Sequence, residues 1–367
     1  MTRAATPRFE EELLDRISSR ILSHDPPVDA GDRGQVRRAV ARALAAEGVV
    51  VSPSRWAALV RDLVDELAGL GPLETILRSA DITDVMVNGP DEVWIDRGGE
   101  LERSEARFRD EEHLTSVLRR VLTPLGVRLD RAHPWADAVL RDGVRLHAVL
   151  PPLAEQPLVT LRRVPAVTPS WVELEASGAV PRDLAELLVE AVAERRNLVL
   201  CGRAGVGKTT LLARLLAEVG DQRVVIIEDA PELNHPSPHS VHLHVRPPTP
   251  DGTGAVDVAE LVRNALRMRP DRLVIGEVRG REVADMLQAM NTGHDGSMTT
   301  VHANSAADAL VRLEGMALLA AVPLEAARAQ LASAIDVVVA LDRGADGQRR
   351  VAEVVEVTRS GTRTVWQ

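Results

Sequence analysis

Tyrosine is absent from the 367 residues of this chain, and aromatic residues of all kinds make up only 2% of it. Cysteine occurs once, at Cys201. That excludes an intrachain disulfide and a cysteine-based zinc site, and it allows a reducing compartment. Positive charge is in deficit: 44 Lys and Arg face 54 Asp and Glu, a formal net charge of −10. A surface that tracks nucleic acid needs a basic field, so no direct nucleic-acid partner is expected, local patches aside. No stretch reaches the roughly 18 uncharged apolar residues that a membrane span requires. The start of the chain turns acidic at Glu10, Glu11 and Glu12 and lacks the apolar core of a signal peptide. A membrane role would therefore run through a partner. There is no repeat at solenoid spacing and no low-complexity tract.

What is there is enough for more than one core. The chain is 45% hydrophobic, and its length favours two or three domains. Residues 1–69 read as a helical region. Phe9, Leu13, Leu14, Ile17 and Ile21 recur at helical spacing, then Val36, Val40, Ala43 and Leu44 after a polar loop over 23–33. Ser52-Pro53 has the form of a cap followed by proline at the first helical position, opening Trp56, Leu59, Val60, Leu63 and Leu67. From Asp84 the period changes to two. Asp84 to Val87 and Glu92 to Ile95, separated by Asn88-Gly89-Pro90, predict a hairpin. An amphipathic helix over 111–125 and short strands near 138–140, 145–149 and 158–162 complete a small α/β domain over 70–164. Residues 165–180, with Pro165, Pro169 and Gly178, read as a linker. Over 181–367, short apolar strands at 197–200, 224–227 and 273–275 alternate with amphipathic helices. That pattern predicts an α/β fold with a mostly parallel sheet covered on both faces.

One motif in this last region carries chemistry. Gly202-Arg203-Ala204-Gly205-Val206-Gly207-Lys208-Thr209 fits G-x-x-x-x-G-K-[ST], between an apolar strand and a helix that starts near Thr210. Such a loop curls so that successive N–H groups point at phosphate oxygens, and the helix N-terminus adds partial positive charge. In this pattern Lys208 reaches the β- and γ-phosphates and Thr209 holds Mg²⁺. Lys208 is also the only lysine of the chain. Arginine does every other basic job, yet the compact ammonium is kept where a planar guanidinium would not fit. With no second lysine, the guanine-reading Asn-Lys-x-Asp motif and a kinase-type β3 lysine are both excluded. ATP is the expected nucleotide.

Phosphoryl chemistry also needs acids near the metal and the attacking water. Val224 to Ile227 ends in Glu228-Asp229, and Leu273 to Ile275 ends in Gly276-Glu277. An acid at the C-terminal end of a buried parallel strand faces the ligand crevice. Glu277 is the expected general base, and Glu228 the second acid, near the metal. Of the histidines, His235, His239, His242 and His244 fit no metal-ligand spacing and read as loop and strand-edge residues. His294 and His302 flank a small, polar stretch that reads as a loop between two helical segments.

These residues resemble the secretion ATPases of type II and type IV systems, and among them the CpaF/TadA-like ATPases of tight-adherence pili. The likeness runs over about residues 10–360. It is carried by Leu70-Gly71-Pro72-Leu73-Glu74, by Asp84 to Pro90, by Val262 to Asp271, by Gly276-Glu277-Val278-Arg279-Gly280 and by Met286 to Gly296. The resemblance implies a RecA-like P-loop NTPase domain, preceded by a small PAS-like α/β domain and an N-terminal helical segment. It places an Asp box on 227–233, the water-activating glutamate on Glu277 and a His box on 294–302. His302 is the implied γ-phosphate sensor. It implies arginine fingers from the α/β domain, best matched by Arg145 in Asp142-Gly143-Val144-Arg145 and by Arg162. The sequence departs from the family at Pro231, His147 and Thr253, none of them in the phosphate loop. The resemblance further implies a homohexamer on the cytoplasmic side, docked on an inner-membrane platform protein, with a hinge near 165–180. The expected activity is ATP hydrolysis that drives pilus assembly or a related secretion machine. The alternatives are a conjugation-type ATPase that moves effectors or DNA, and a nucleotide-binding scaffold without turnover.

Overall fold

The computed structural model describes residues 16–17, 20–21, 32–140, 143–163, 168–235, 237–246, 253–344, 346–359 and 361–367. Phe9, Leu13 and Leu14 of the first predicted helix, most of the 23–33 loop, Asp142 and Pro165 lie outside the described residues. The chain divides into two compact units between Val164 and Pro165.

Two helices lead into the sheet of the first unit. Asp32 caps α1 (Arg33–Ala46) by accepting from the Gly34 and Gln35 N–H groups. Ser52 caps α2 (Pro53–Ala68), with proline in its first turn as predicted. Val36, Val40 and Leu44 pack against Leu59, Leu63 and Leu67, with Ile17 and Ile21 in the same cluster. The expected division at residue 69 is bridged by charge. Buried Asp65 is paired with Arg33 and Arg78, and Arg33 also reaches Glu74 at 3.0 Å, at the start of the short helix α3 (Leu73–Leu77). Six antiparallel strands follow: β1 (Ile82–Asn88), β2 (Val93–Arg97), β3 (Glu100–Arg103), β4 (Trp135–Val139), β5 (Arg145–Val149) and β6 (Leu158–Arg162), in the order β3-β2-β1-β6-β5-β4. Helix α4 (Glu111–Leu122) contributes Leu114, Val117, Leu118 and Leu122 to a core shared with Val85, Leu146 and Leu161 of the sheet. The predicted helical stretch beyond Leu122 is a short 3-10 turn that ends at Gly126, with φ of 72°.

The second unit is a three-layer α/β domain. Its strands are β7 (Leu198–Cys201), β8 (Val224–Glu228), β9 (Ser240–His244), β10 (Arg272–Ile275), β11 (Met298–Val301), β12 (Val337–Arg343), β13 (Arg349–Thr358) and β14 (Gly361–Trp366), in the order β14-β13-β12-β7-β11-β10-β8-β9. From β12 to β9 every pairing is parallel, and β13 and β14 close one edge as an antiparallel hairpin. Period-two alternation sends successive residues to opposite faces. Leu198 and Leu200 pack with α5 (Trp171–Ala176), α6 (Arg182–Ala193) and α7 (Lys208–Leu216). Val199 and Cys201 pack with α8 (Val258–Ala265), α9 (Glu282–Met290), α10 (Ala306–Leu319) and α11 (Leu324–Ala334).

Two expectations need correction. The stretch read as a linker contains α5, opened by a reciprocal capping box between Ser170 and Glu173. Leu174 on this helix is 8% exposed and belongs to the core of the second unit, so residues 171–180 are part of the domain rather than a free connector. The stretch between His294 and His302, read as a polar loop, contains the central strand β11. Thr299 and Thr300 on it are buried. Their β-branched backbones favour a strand, and their hydroxyls are satisfied inside the sheet, that of Thr300 by the Gly276 carbonyl at 2.7 Å and that of Thr299 by the Thr300 carbonyl at 3.4 Å.

Candidate functional site

Four neighbouring parallel strands end together on one edge of the second sheet, in the order β7, β11, β10, β8. Each delivers one polar group. Beyond β7, the loop Gly202 to Gly207 leads into α7, which starts at Lys208. Gly207 sits at the helix cap with φ of 101°, a conformation open to glycine at little steric cost. Gly202 is needed for a different reason: a Cβ there would come within 2.5 Å of the Leu341 carbonyl oxygen. Around Gly205 and Gly207 nothing would lie within 4 Å of an added Cβ, so at these two positions it is the positive φ rather than crowding that favours glycine. Val206 is buried in the core and anchors the loop, while Arg203 and Ala204 are exposed. Thr209 and Thr210 occupy the first turn of α7, both half-buried.

Lys208 is buried, and its ammonium donates to the Gly202 and Arg203 carbonyls, each at 2.9 Å. It also reaches Nδ1 of His302, the first residue after β11, at 3.5 Å. An ammonium only donates, so Nδ1 is the acceptor and Nε2 carries the ring hydrogen. That Nε2 lies 3.1 Å from Oε1 of Glu277, which follows β10. The other carboxylate oxygen of Glu277 accepts from Arg279 at 2.8 Å, and Arg279 reaches Asp229, just past β8, at 3.3 Å. The polar chain Lys208–His302–Glu277–Arg279–Asp229 thus crosses the sheet in strand order.

Burial and charge compete in this cluster. Burial pushes the Glu277 carboxyl up, but the Arg279 hydrogen bond and the charges of Arg279, His302 and Lys208 outweigh it and hold the group below the usual carboxylate range. Burial lowers both Lys208 and His302, against the opposing pull of Glu277. The imidazole is therefore neutral near pH 7, as the tautomer requires.

Glu228 ends β8 and is 4% exposed. Its Oε1 accepts from the backbone N–H groups of Glu232 and Leu233 at 3.0 and 2.9 Å, shaping the loop after β8. Gly276 lets this side chain approach β10, since a Cβ there would lie 3.1 Å from Glu228 Cγ.

His294 stands apart from the cluster. It precedes β11, whereas His302 follows it. A four-residue strand is about 13 Å long, so the two histidines lie at opposite ends of β11. The His294 ring instead donates from Nδ1 to the Ala289 carbonyl, 3.2 Å away in the last turn of α9. The two ends of the expected His box, 294–302, are therefore apart, and only His302 joins the cluster. Arg145 and Arg162 belong to the first unit, where they face each other across β5 and β6, with Asp84 next in the same row on β1. The row alternates with the buried Leu146, Leu161 and Val85, so it lies on the sheet face opposite the core. Arg162 is 3.5 Å from Asp84.

Three participants escaped sequence reasoning. Arg279 lies in the run Gly276 to Gly280, and nothing in its spacing marks it as the partner of Glu277. Thr300 ties β11 to the Gly276 carbonyl immediately before Glu277. Glu282 accepts from the Arg279 and Gly280 N–H groups at 2.5 and 2.7 Å and fixes the turn that carries Arg279. Among the described residues no group of three or more His, Cys, Asp or Glu is placed to hold a metal ion by itself. His242 and His244 stack on the edge strand β9 with ring centroids 6.3 Å apart.

Comparison with known proteins places this geometry. The family model described as "Type II/IV secretion system protein" matches residues 66–365. A Mycobacterium tuberculosis protein named for conjugal transfer is 43% identical over 319 residues, covering 84% of this chain and 91% of the relative. The type IV secretion system protein PtlH of Bordetella pertussis is 32% identical, covering 78% of this chain and 93% of the relative. The structure of the Legionella pneumophila ATPase DotB shares the fold, with a TM-score of 0.56 at 20% identity, covering 78% of this chain and 80% of that one.

Proposed function

The chain belongs to the type II/IV secretion system protein family, and on that premise we propose that it binds ATP at Lys208 and hydrolyses it with Glu277 as general base. The observation that carries this reading is the chain of contacts from Lys208 through His302 to Glu277 at the ends of adjacent strands. Lys208 rests on two carbonyls of its own loop, which a phosphate would replace with a charged partner. Glu277 takes a proton from the attacking water. His302 lies between them, in contact with both, where a γ-phosphate would end, and we assign it the sensing of that group. The glycine-rich Gly202–Gly207 loop and the first turn of α7, which begins at Lys208, suit a phosphate chain. Mg²⁺ would be held by the Thr209 hydroxyl and Glu228, and would neutralise charge on the phosphates. Arg145 and Arg162, paired across β5 and β6 on the sheet face opposite the core of the other unit, are the proposed arginine fingers.

The family works in secretion machines, and we infer the same setting here: a homohexamer at the inner face of the cell membrane, acting through a membrane platform protein. No helix among the described residues is long and apolar enough to cross a membrane. Pilus assembly is the machine favoured by the motif resemblance. Conjugal transfer is the second reading, and the name of the 43% identical relative favours it. Deleting the gene and scoring surface pili and DNA transfer separately distinguishes the two. Activity itself is tested by phosphate release from the purified chain. Lys208→Ala should abolish turnover and weaken nucleotide binding; wild-type turnover in that variant would remove the loop from the reaction.

A further inference from the structure

The turn after β10 carries both Glu277 and Arg279, and its backbone is anchored. The Val278 N–H donates to the Thr300 carbonyl at 3.0 Å, and the Thr300 hydroxyl donates to the Gly276 carbonyl at 2.7 Å. Buried Glu282 accepts from the Arg279 and Gly280 N–H groups. Arg281 is paired with Asp257, the cap of α8. Two side chains leave this fixed turn and meet. Arg279 directs Nη2 to Oε2 of Glu277 at 2.8 Å and Nη1 to Asp229 at 3.3 Å. His302 holds the other carboxylate oxygen, Oε1, at 3.1 Å. An ionised carboxylate has about four lone-pair sites, so contacts at both oxygens fix its plane and still leave capacity to accept from a water.

We propose that Arg279 is a positioning residue for the reaction: with His302 on the other oxygen, it holds the Glu277 carboxylate in the orientation from which it accepts a proton from water. The inference rests on the reading of Glu277 as general base given above. A glutamate side chain samples several rotamers unless its carboxylate is held, and a misplaced reacting group loses rate. Arg279 also supplies a charge that the other neighbours do not. His302 is neutral near pH 7, and the charge of Lys208 is the one that bound phosphates would neutralise. Arg279 is then the cation still touching the carboxylate. Without it, burial favours the protonated form, which cannot act as a base. The contact matters little for folding, because Arg279 is 61% exposed. A fixed backbone beneath an exposed guanidinium points to reaction geometry rather than to stability.

The test is phosphate release by the full chain, as kcat and KM for ATP across pH, for the parent, Arg279→Ala and Arg279→Lys, beside a thermal melt. Arg279→Ala should lower kcat by up to about 10²-fold with KM little changed, as expected for lost positioning. The acid limb of its kcat profile should move to higher pH, by about one pH unit, because the carboxylate has lost its cation. Arg279→Lys keeps a point charge and should return the limb toward the parent, but recover only part of the rate, since an ammonium lacks the planar fork that bridges Glu277 and Asp229. The melting temperature should stay near that of the parent in both. Parent kcat and an unmoved limb in Arg279→Ala overturn the proposal. A raised KM with kcat unchanged also overturns it, and would assign Arg279 to nucleotide binding. A large drop in melting temperature in both variants, with the limb in place, overturns it in favour of a structural role. If Glu277→Gln turns over like the parent, the general-base reading falls and takes this inference with it; if Glu277→Gln is slow while Arg279→Ala is normal, only the role of Arg279 falls.

Discussion

Glu277→Gln separates a chemical role from a structural one. The substitution keeps the shape of the side chain. Oε1 remains a carbonyl facing His302, whose Nε2–H still has an acceptor 3.1 Å away. The other terminal atom becomes an amide donor facing Arg279, itself only a donor, so that 2.8 Å contact is lost. Arg279 keeps Asp229 at 3.3 Å and is 61% exposed. An ion pair with so wet a partner contributes at most about 1 kcal/mol. Folding stability should therefore change little, and ATP binding through Lys208 should persist. Turnover is different, because an amide cannot take a proton from water. General-base catalysis contributes about 10²–10⁴-fold, or about 3–5 kcal/mol of barrier. The assay is phosphate release under saturating ATP, run beside a thermal melt and a nucleotide titration. The reasoning is refuted if the variant turns over within about threefold of the parent. It is equally refuted if a large loss of stability accompanies the loss of rate, because Glu277 would then be holding the strand ends together.

Arg162→Ala should leave the fold of the first unit intact, since Arg162 is 56% exposed and pairs with Asp84 only at 3.5 Å; Arg145 is half-buried, so Arg145→Ala is read beside a thermal melt. Turnover should fall by as much as about 10³-fold if they act as arginine fingers; unchanged rates in both variants would assign that work to other arginines. Cys201 predicts a pH dependence. Burial, with Glu353 adding to it, pushes its thiol up to about 12 from an ordinary value of 9.0. The folded state therefore keeps a proton that the unfolded state releases between those values. Stability is unaffected by this group below the lower value and falls as pH rises through the window, by about 1.4 kcal/mol per pH unit. Denaturant melts between pH 9 and 10.5 should show that slope in the parent and a shallower one in Cys201→Ala. Equal slopes would mean that the thiol titrates normally.

Sequence reasoning succeeded where local chemistry determines structure and failed where tertiary context does. The phosphate loop was readable because its glycines, its lysine and its strand–helix setting are contiguous. The hairpin of β1 and β2 and the helix α4 were readable from period alone. Strand β11 was not: Met298-Thr299-Thr300-Val301 looks polar, and only the carbonyls it meets inside the sheet make its threonines tolerable there. That strand separates His294 from His302, which the run of small polar residues alone does not reveal. Helix α5 was masked by Pro165, Pro169 and Gly178. Ser170 and Glu173 form a capping box there, and that signature was present in the sequence for reading. Arg279 could not be found locally, because its importance lies in being within reach of both Glu277 and Asp229.

The order of the strands explains why the residues of the proposed site are so scattered in the chain yet gather at one edge of the sheet. Lys208, Glu277 and His302 follow β7, β10 and β11 in sequence and Glu228 ends β8, but the sheet is arranged β7-β11-β10-β8. Placing β11 between β7 and β10 is what puts an imidazole between the ammonium and the carboxylate. Lys208 and Glu277 feel each other's charge, and a ring in contact with both stands between them as an intermediary. His302 fills that role because its two nitrogens accept from one side and donate to the other. A phosphate that drew Lys208 off the Gly202 and Arg203 carbonyls would also take the ammonium from Nδ1. The imidazole would then be free to donate toward the new anion from that nitrogen, at the cost of a changed tautomer or an added proton. Either change alters its bond to Glu277. The occupancy of the phosphate loop and the state of the proposed general base are therefore linked through a single ring, with no movement of the strands.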